Sequence, residues 1–526
     1  MDFILSAVTA AADSAANVSG VVNWARAQFA MTIIFHFLFV PITLGMSVLV
    51  AIMQTMYYKT GKKEWKDTTK FWQKLLAINV AIGIATGIIH EFEFGTNWSN
   101  YSWVMGDVFG APLAIEGIFA FFMEASFGVV SLFGWKRVGK KFHLFSTWMF
   151  AIGTNLSGLW IIVANSFMQH PSGYKLNIET ARAEMVDFSQ IALQPKAIDT
   201  FLHQMSSAYM LSATFMIAIS VYYILRKRHI VFAKRSIAVG ITFALLNAYF
   251  LFLVGDMQAA TVTNMQPTKM AAAEGLFKGE EGAPIMMGIL NPSIKIGDDK
   301  TAVYGIPFPY GLSLLGKHSL NAFVPGINDL VYGNKKYGIL PAKELMRRGR
   351  IAIDAMYAYH AAKKVKNTEE MKKQKDIFEK HSKYFGYGHL KNEKDIIPPV
   401  STVFYAFHIM VGIGSFFMLF FLFMYIKVRK NQILDNKLFL KISSITLWLA
   451  YVGIVTGWTM AEVGRQPWTV FGVLPTSKSA TPIHLNNVKA TFFIFLVLFI
   501  ILGFAELKMM IRQIKIGPDN HDNEEV

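Results

Sequence analysis

Hydrophobic positions in this chain come in long unbroken runs rather than in alternation. Apolar stretches of about 20 residues, the length that crosses a hydrocarbon core as a helix, recur near residues 29–54, 73–95, 112–134, 144–166, 199–225, 236–255, 401–427, 440–461 and 488–510. In lipid such runs satisfy their backbone polar groups as helices, and none shows the two-residue period of a barrel strand. The pattern predicts an all-α polytopic membrane bundle of nine transmembrane helices. Between Asp256 and Ser401 the apolar regime lapses for roughly 140 residues, a loop length that usually carries function. In its later half, from Glu344 to His389, apolar residues at helical spacing among Lys and Glu predict a solvated amphipathic helix, with Glu369 and Glu370 ahead of Lys373. The chain thus divides into an N-terminal segment (1–28), helices one to six (29–255), the insert (256–400), helices seven to nine (401–510) and a tail (511–526). The end of that tail, Asn520–Val526, is polar and expected to be disordered.

Charge adds an orientation. The net charge of +16 could suit nucleic acid, but only 16% of residues are charged and the basic ones sit on alternate loops. Lys59, Lys62, Lys63, Lys66 and Lys70 follow the first run; Lys136, Arg137, Lys140 and Lys141 the third; Arg226, Lys227, Arg228, Lys234 and Arg235 the fifth. Lys427, Arg429, Lys430 and Lys437 follow the seventh, and Lys508, Arg512 and Lys515 the ninth. By the positive-inside rule these loops are cytoplasmic. The N-terminus and the long insert are therefore expected outside and the C-terminus inside, with membrane lipid, not nucleic acid, as the surroundings. With no cysteine at all, disulfides, thiolate-held iron–sulfur clusters and covalent C-x-x-C-H haem attachment are excluded. The first 25 residues lack the basic start of a signal peptide.

Ionisable groups inside spans are costly and are functional candidates. His36 lies in the first run, His203 near the outer end of the fifth and Met410 near the outer end of the seventh. One cofactor layer at that depth could join all three, and a His/Met pair is a common axial set for a low-spin haem. Glu91 and Glu93 fall at the outer end of the second run, and Glu116 and Glu124 within the third. On a regular helix these last two stand about 12 Å apart along the axis and about 80° apart around it, a spacing over which buried acids could pass protons. Trp458, Glu462 and Arg465 are spaced i, i+4, i+7, which puts ring, carboxylate and guanidinium on one helix face before Pro467 ends it. A carboxylate there could ligate a high-spin iron, and Arg465 suits a propionate.

Here the residues resemble a known family. The run Gly464-Arg465-Gln466-Pro467-Trp468 is similar to a signature of the large subunit of cytochrome bd-type quinol oxidases. His36 to Pro41 (HFLFVP), Glu91 to Trp98 (EFEFGTNW), Gly110 to Glu116 (GAPLAIE) and Gln266 to Glu274 (QPTKMAAAE) resemble family motifs in family order. The resemblance implies that His203 and Met410 ligate a low-spin haem b. It implies that His36 and Glu462 each ligate one of two high-spin haems, a haem b and a haem d or a third haem b, with the pairing left open. Glu116 and Glu124 would belong to a proton path, Glu116 close to iron, and Lys269 and Glu274 would bind and oxidise quinol in the insert, the Q-loop. Trp458, Arg465, Arg26 and Gln466 would line the haems, with Glu91 beside them. Where some members place an Arg two residues before the low-spin Met, this chain has His408, which as a neutral ring would remove a charge from that haem's surroundings. His408 itself is not expected to ligate, since i and i+2 point about 200° apart on a helix.

The resemblance further implies a bacterial inner-membrane respiratory enzyme that transfers electrons from quinol to O2, with a second large subunit, subunit II, and a small single-span one. Quinol oxidised outside and oxygen protonated from inside would move one charge per electron, about 2.3 kcal/mol per 100 mV, without a pump. An ion-coupled transporter would show broken helices or inverted repeats, and neither is visible in the sequence. A bc-type cytochrome b would carry paired histidines on single helices, whereas His36, His90, His203 and His408 fall on four different ones.

Overall fold

The computed structural model describes residues 15–298, 300–430, 432 and 437–518. The tail end Asn520–Val526 and residues 1–14 of the N-terminal segment lie outside them. Among the described residues nine helices are long and apolar enough to cross a membrane. The first span is α1 (Ala15–His36) with α2 (Val40–Thr60), the second α3 (Lys63–Thr96), the third α4 (Ser99–Ile115) with α5 (Phe121–Phe133), the fourth α6 (Lys140–Gln169). After the short α7 (Phe188–Ala192) come α8 (Pro195–Leu225) and α9 (Ile230–Met265). The insert holds α10 (Pro267–Glu274), α11 (Gly311–Lys317), α12 (Ile327–Tyr332), α13 (Ala342–Lys364) and α14 (Thr368–His381); α15 (Val400–Arg429), α16 (Lys437–Val463) and α17 (Leu485–Ile516) complete the bundle.

The all-α bundle carries small antiparallel ribbons that the apolar runs do not predict: β1 (Tyr174–Asn177) with β2 (Arg182–Met185), β3 (Glu280–Glu281) with β6 (Phe323–Val324), β4 (Ile285–Leu290) with β5 (Val303–Phe308), and β7 (Trp468–Val470) with β8 (Leu474–Pro475). The basic stretch after Glu344 is two helices, α13 and α14, packed on each other rather than one solvated helix. Lys373 does pair with Glu370, at 3.6 Å.

The helix at the middle of the bundle is α8, which packs against α2, α6, α9 and α16. Its run of Ser206, Ala208, Ser212, Ala213 and Thr214 is almost fully buried, because small residues let neighbouring backbones approach where no hydrophobic effect drives helices together. By contrast α17 touches chiefly α1 and α3 and keeps large apolar side chains such as Phe504 and Ile501 exposed.

Two spans are broken, a feature not visible in the sequence runs. Helix α1 starts well before residue 29 and stops at His36, and a tight turn over 37–39 leads into α2. Pro41 has no N–H to continue the ladder. The carbonyls that the turn exposes are met from other helices: Tyr451 donates its hydroxyl to Leu38 O at 2.7 Å and Asn79 its amide to Phe39 O at 2.7 Å. Irregular backbone at membrane depth survives only with such protein partners. The third span widens into a π turn at Glu116–Ala120, four residues after Pro112. That wider turn changes the register between Glu116 and Glu124, so the 80° offset of a regular helix does not apply.

Candidate functional site

The end of α16 differs from its expected form. The helix stops at Val463, and Arg465 lies in a tightened turn closed by Arg465 N to Glu462 O and Gln466 N to Val463 O. Trp458, Glu462 and Arg465 therefore do not share one helix face. The turn instead folds the guanidinium back, so that Arg465 Nη2 meets Glu462 Oε2 at 2.5 Å. The other carboxylate oxygen accepts from Asn165 Nδ2 at 2.9 Å and from Gln169 Nε2 at 3.1 Å. Asn165 and Gln169 are i, i+4 on α6, so both amides face α16. Gln169 also accepts, through its own oxygen, from Lys269 Nζ and from Gln266 Nε2 at 3.1 Å. A chain of side-chain bonds thus runs from the insert into the bundle. Arg465 Nη1 and Trp458 Nε1 are buried with no partner.

His36 closes α1 at the break, and its Nδ1 lies 2.9 Å from Thr86 Oγ1 on α3. The Thr86 hydroxyl also lies 3.0 Å from Ile82 O and Gly83 O. If its single hydrogen goes to a carbonyl, it accepts from His36. His36 then carries its proton on Nδ1 and presents a bare Nε2, the second-shell arrangement typical of a metal-ligating imidazole. The His90 ring is 6.4 Å from it, centre to centre. Glu116, the first residue of the π turn, accepts from Ser157 Oγ at 2.6 Å on one oxygen, and its other oxygen is buried with no partner. Glu124 is half-buried one turn beyond the π segment.

His203 on α8 and Met410 on α15 lie on helices that both pack against α9. His203 Nδ1 is buried without a partner. Met410 lies against Gly457 of α16, where a Cβ would stand only 3.0 Å from the sulfur. His408 holds its ring between two carbonyls, Nδ1 at 2.9 Å from Phe404 O and Nε2 at 3.1 Å from Met286 O. Each ring nitrogen thus lies within hydrogen-bond distance of a carbonyl, and a neutral ring donates to one of the two.

In the insert, Lys269 and Glu274 are both buried on α10. Their i, i+5 spacing turns them about 140° apart, Lys269 toward Gln169 and Glu274 away from it. Neither Glu274 oxygen has a partner, and burial pushes its pKa up to about 8. Burial, with Lys196 and Arg465 adding repulsion, holds the Lys269 ammonium well below its usual value.

Other expected residues are less engaged. Gln466 is tied to Thr476 Oγ1 at 3.1 Å, and Arg26 is exposed on α1 without an ion pair among the described residues. Glu91 is exposed. The buried acid of that pair is Glu93, which accepts from Thr32 Oγ1 at 2.5 Å and lies 3.5 Å from Gln28 Nε2. Asn165, Gln169, Ser157, Thr86 and Gln28 all escaped the sequence reading. Amides and hydroxyls at i, i+4 inside apolar runs, as in Asn165/Gln169 and Gln28/Thr32, were the signal that could have found several of them.

The family model for cytochrome bd terminal oxidase subunit I matches residues 24–518. The chain is 35% identical to cytochrome bd-II ubiquinol oxidase subunit 1 of Escherichia coli strain K12, over 96% of this chain and 98% of that one. It is equally 35% identical to cytochrome bd ubiquinol oxidase subunit 1 of Bacillus subtilis strain 168, over 95% and 94%. Its fold is similar to that of the solved bd oxidase from Geobacillus thermodenitrificans, with a TM-score of 0.77 at 24% identity, covering 95% of this chain and all of that one. The chain therefore belongs to the cytochrome bd terminal oxidase subunit I family, and is a multi-pass inner-membrane quinol oxidase subunit that carries haem and works with a subunit II.

Proposed function

We propose that this chain oxidises quinol at its external insert and passes the electrons by way of a low-spin haem b to a high-spin di-haem site where O2 becomes water. Bound haem supplies the electron-transfer and oxygen chemistry. The observation that carries the reading is the set of buried polar atoms with no partner among the described residues: His203 Nδ1, Glu116 Oε2, Trp458 Nε1, Arg465 Nη1 and both oxygens of Glu274. Each such atom costs about 1–3 kcal/mol if left unsatisfied, so the group suits a protein that folds around iron, propionates and a quinol hydroxyl.

His203 and Met410 would hold the low-spin haem b. His36, with Nε2 bare, and Glu462 would each hold a high-spin haem, one a b and the other a d or a third b. Glu462 is already bonded by Asn165, Gln169 and Arg465, which keeps it oriented with one lone pair to spare. Arg465 and Trp458 offer their free N–H groups to propionates. Glu116, aimed by Ser157, and Glu124 would hold protons on their way to the oxygen site. Glu274 would accept a quinol proton, while Lys269, turned the other way, would link the insert to Glu462 through Gln169. Protons released at the insert and drawn from the cytoplasm would build proton-motive force without pumping.

A reduced-minus-oxidised visible spectrum of the purified complex, followed by carbon monoxide, tests the haem set. A low-spin b signal with a far-red chlorin band that shifts with carbon monoxide is expected. A carbon monoxide response from b haems alone would assign the third haem as b, and absence of haem would sink the reading. Proton uptake from the insert side on oxygen reduction would overturn the electrogenic part.

A further inference from the structure

The insert carries one surface that water does not suit. The ribbon β4–β5, Ile285-Met286-Met287-Gly288-Ile289-Leu290 paired with Val303-Tyr304-Gly305-Ile306-Pro307-Phe308, contains no charged residue. One face is exposed, with Ile306 at 70% and Ile289 at 64%, while Leu290 and Val303 on the opposite face are buried. Tyr310, Leu314 and Leu320 extend the same apolar exposure onto α11 and the turn after it. A lone two-stranded ribbon is marginal in water, and a bare apolar one with two free edges invites aggregation.

Two independent contacts fix the height of this surface. Helix α9 is apolar over 236–255, about 30 Å of rise, so the hydrocarbon of the bilayer ends near Asp256. His318, just past α11, reaches Asp256 at 3.2 Å. On α15, Lys427 and His408 are 19 residues apart, about 29 Å of helix, which puts His408 at the same boundary. Met286 of β4 receives His408 Nε2 on its carbonyl at 3.1 Å. The ribbon and α11 therefore flank two spans at the membrane boundary rather than standing clear of it. Lys317, bonded to Asn264 at 2.7 Å, adds a cation on the outer side of that boundary.

We propose that the β4–β5 ribbon and α11 are a membrane-interface foot of the insert, seated in the headgroup and upper acyl layer of the leaflet on that side. The free ribbon edges forbid the dry hydrocarbon core, where unpaired N–H and C=O groups have no partner, and the missing charges forbid bulk water. The interfacial layer, which favours Tyr beside large apolar side chains and a basic residue, satisfies both. The foot is rooted at the turn after α10: Gly275 has φ of +61°, and its missing Cβ would lie 2.9 Å from Val303 and 3.2 Å from Leu290. Lipid contact at the ribbon thus bears on the position of Glu274. The inference needs only the membrane embedding of the spans and does not rest on the quinol reading.

The absence of cysteine in this chain makes the test direct. I306C, with M287C as a second site and K335C as an exposed control, is spin-labelled in the assembled complex in lipid nanodiscs, with the unsubstituted complex as background. Collision with oxygen, which concentrates in acyl chains, is compared with collision with a water-soluble nickel chelate. Oxygen access above nickel access at 306 and 287, and the reverse at 335, is expected. Nickel access dominating at 306 and 287 would place the ribbon in water, and shielding from both reagents would mean that another protein covers it; either result overturns the proposal.

Discussion

Lys269 and Glu462 are joined through one side chain: Gln169 accepts from the Lys269 ammonium on its carboxamide oxygen and donates to Glu462 Oε1 at 3.1 Å from its nitrogen. The insert and the end of α16 are therefore not separate sites. An ammonium held well below its usual pKa by burial and the Glu462 carboxylate share an amide that cannot serve one without being fixed by the other.

Replacing that amide tests the link. Gln169→Leu keeps much of the volume, leaves Lys269 buried without its acceptor and removes one of three donors to Glu462. The unsatisfied group costs about 1–3 kcal/mol, so the thermal midpoint of the complex should fall. Quinol oxidation should fall by about tenfold or more, each 1.4 kcal/mol being tenfold, at unchanged haem content. Full turnover by Q169L would show that the bridge is packing alone.

Thr86 should matter as a positioning residue for His36. Thr86→Val removes the acceptor for His36 Nδ1–H, and loss of such an outer partner typically weakens metal binding about 10–100-fold. The expected outcome is a partial loss or a band shift of the high-spin haem in the carbon monoxide difference spectrum, with the low-spin signal intact. Thr86→Ser, which keeps the hydroxyl, should restore it. Equal spectra for T86V and the parent would remove Thr86 from the site.

The limits of the sequence reading follow from the same residues. The spans were legible because each is a long apolar run, and the ligand candidates because a His in such a run is conspicuous. The break after His36 was not, since Pro41 is equally compatible with the first turn of a helix. Only Tyr451 and Asn79, distant in sequence, meet the carbonyls that the break exposes. Likewise the i, i+7 spacing of Trp458 and Arg465 presumed two more residues of helix. The ion pair with Glu462 survives because a tightened turn also brings residues three apart together. Glu93 rather than Glu91 is the buried acid because Gln28 and Thr32 of α1 face it, a tertiary fact with no local signal.

Gly457 makes a prediction specific to the low-spin pair. A Cβ there would stand 3.0 Å from the sulfur of Met410, closer than nearly all real carbon contacts, so Gly457→Ala should push the thioether off its position. The reduced low-spin α band should weaken or shift and its midpoint potential should move, while the carbon monoxide response of the high-spin haems stays. A carbon monoxide response altered as much as the α band would mean that Met410 is not held apart from the high-spin site.

Glu274 sets the pH dependence. With its pKa raised to about 8 by burial, the carboxyl is neutral below that value and cannot take a proton from quinol. It becomes a competent base only as pH rises through about 8. Quinol oxidation should therefore climb across that range, with the gain in kcat rather than in KM. Glu274→Gln, which keeps the shape and stays neutral, should hold the low rate and flatten the climb. Stability runs the other way: the folded state binds this proton more tightly than the unfolded chain does. As pH rises from the ordinary carboxyl value to about 8 the unfolded chain gives up this proton first, which works against the fold, and E274Q should lose less thermal stability than the parent across that window. A rate that climbs through pH 8 in E274Q as in the parent would assign the titrating base to another group.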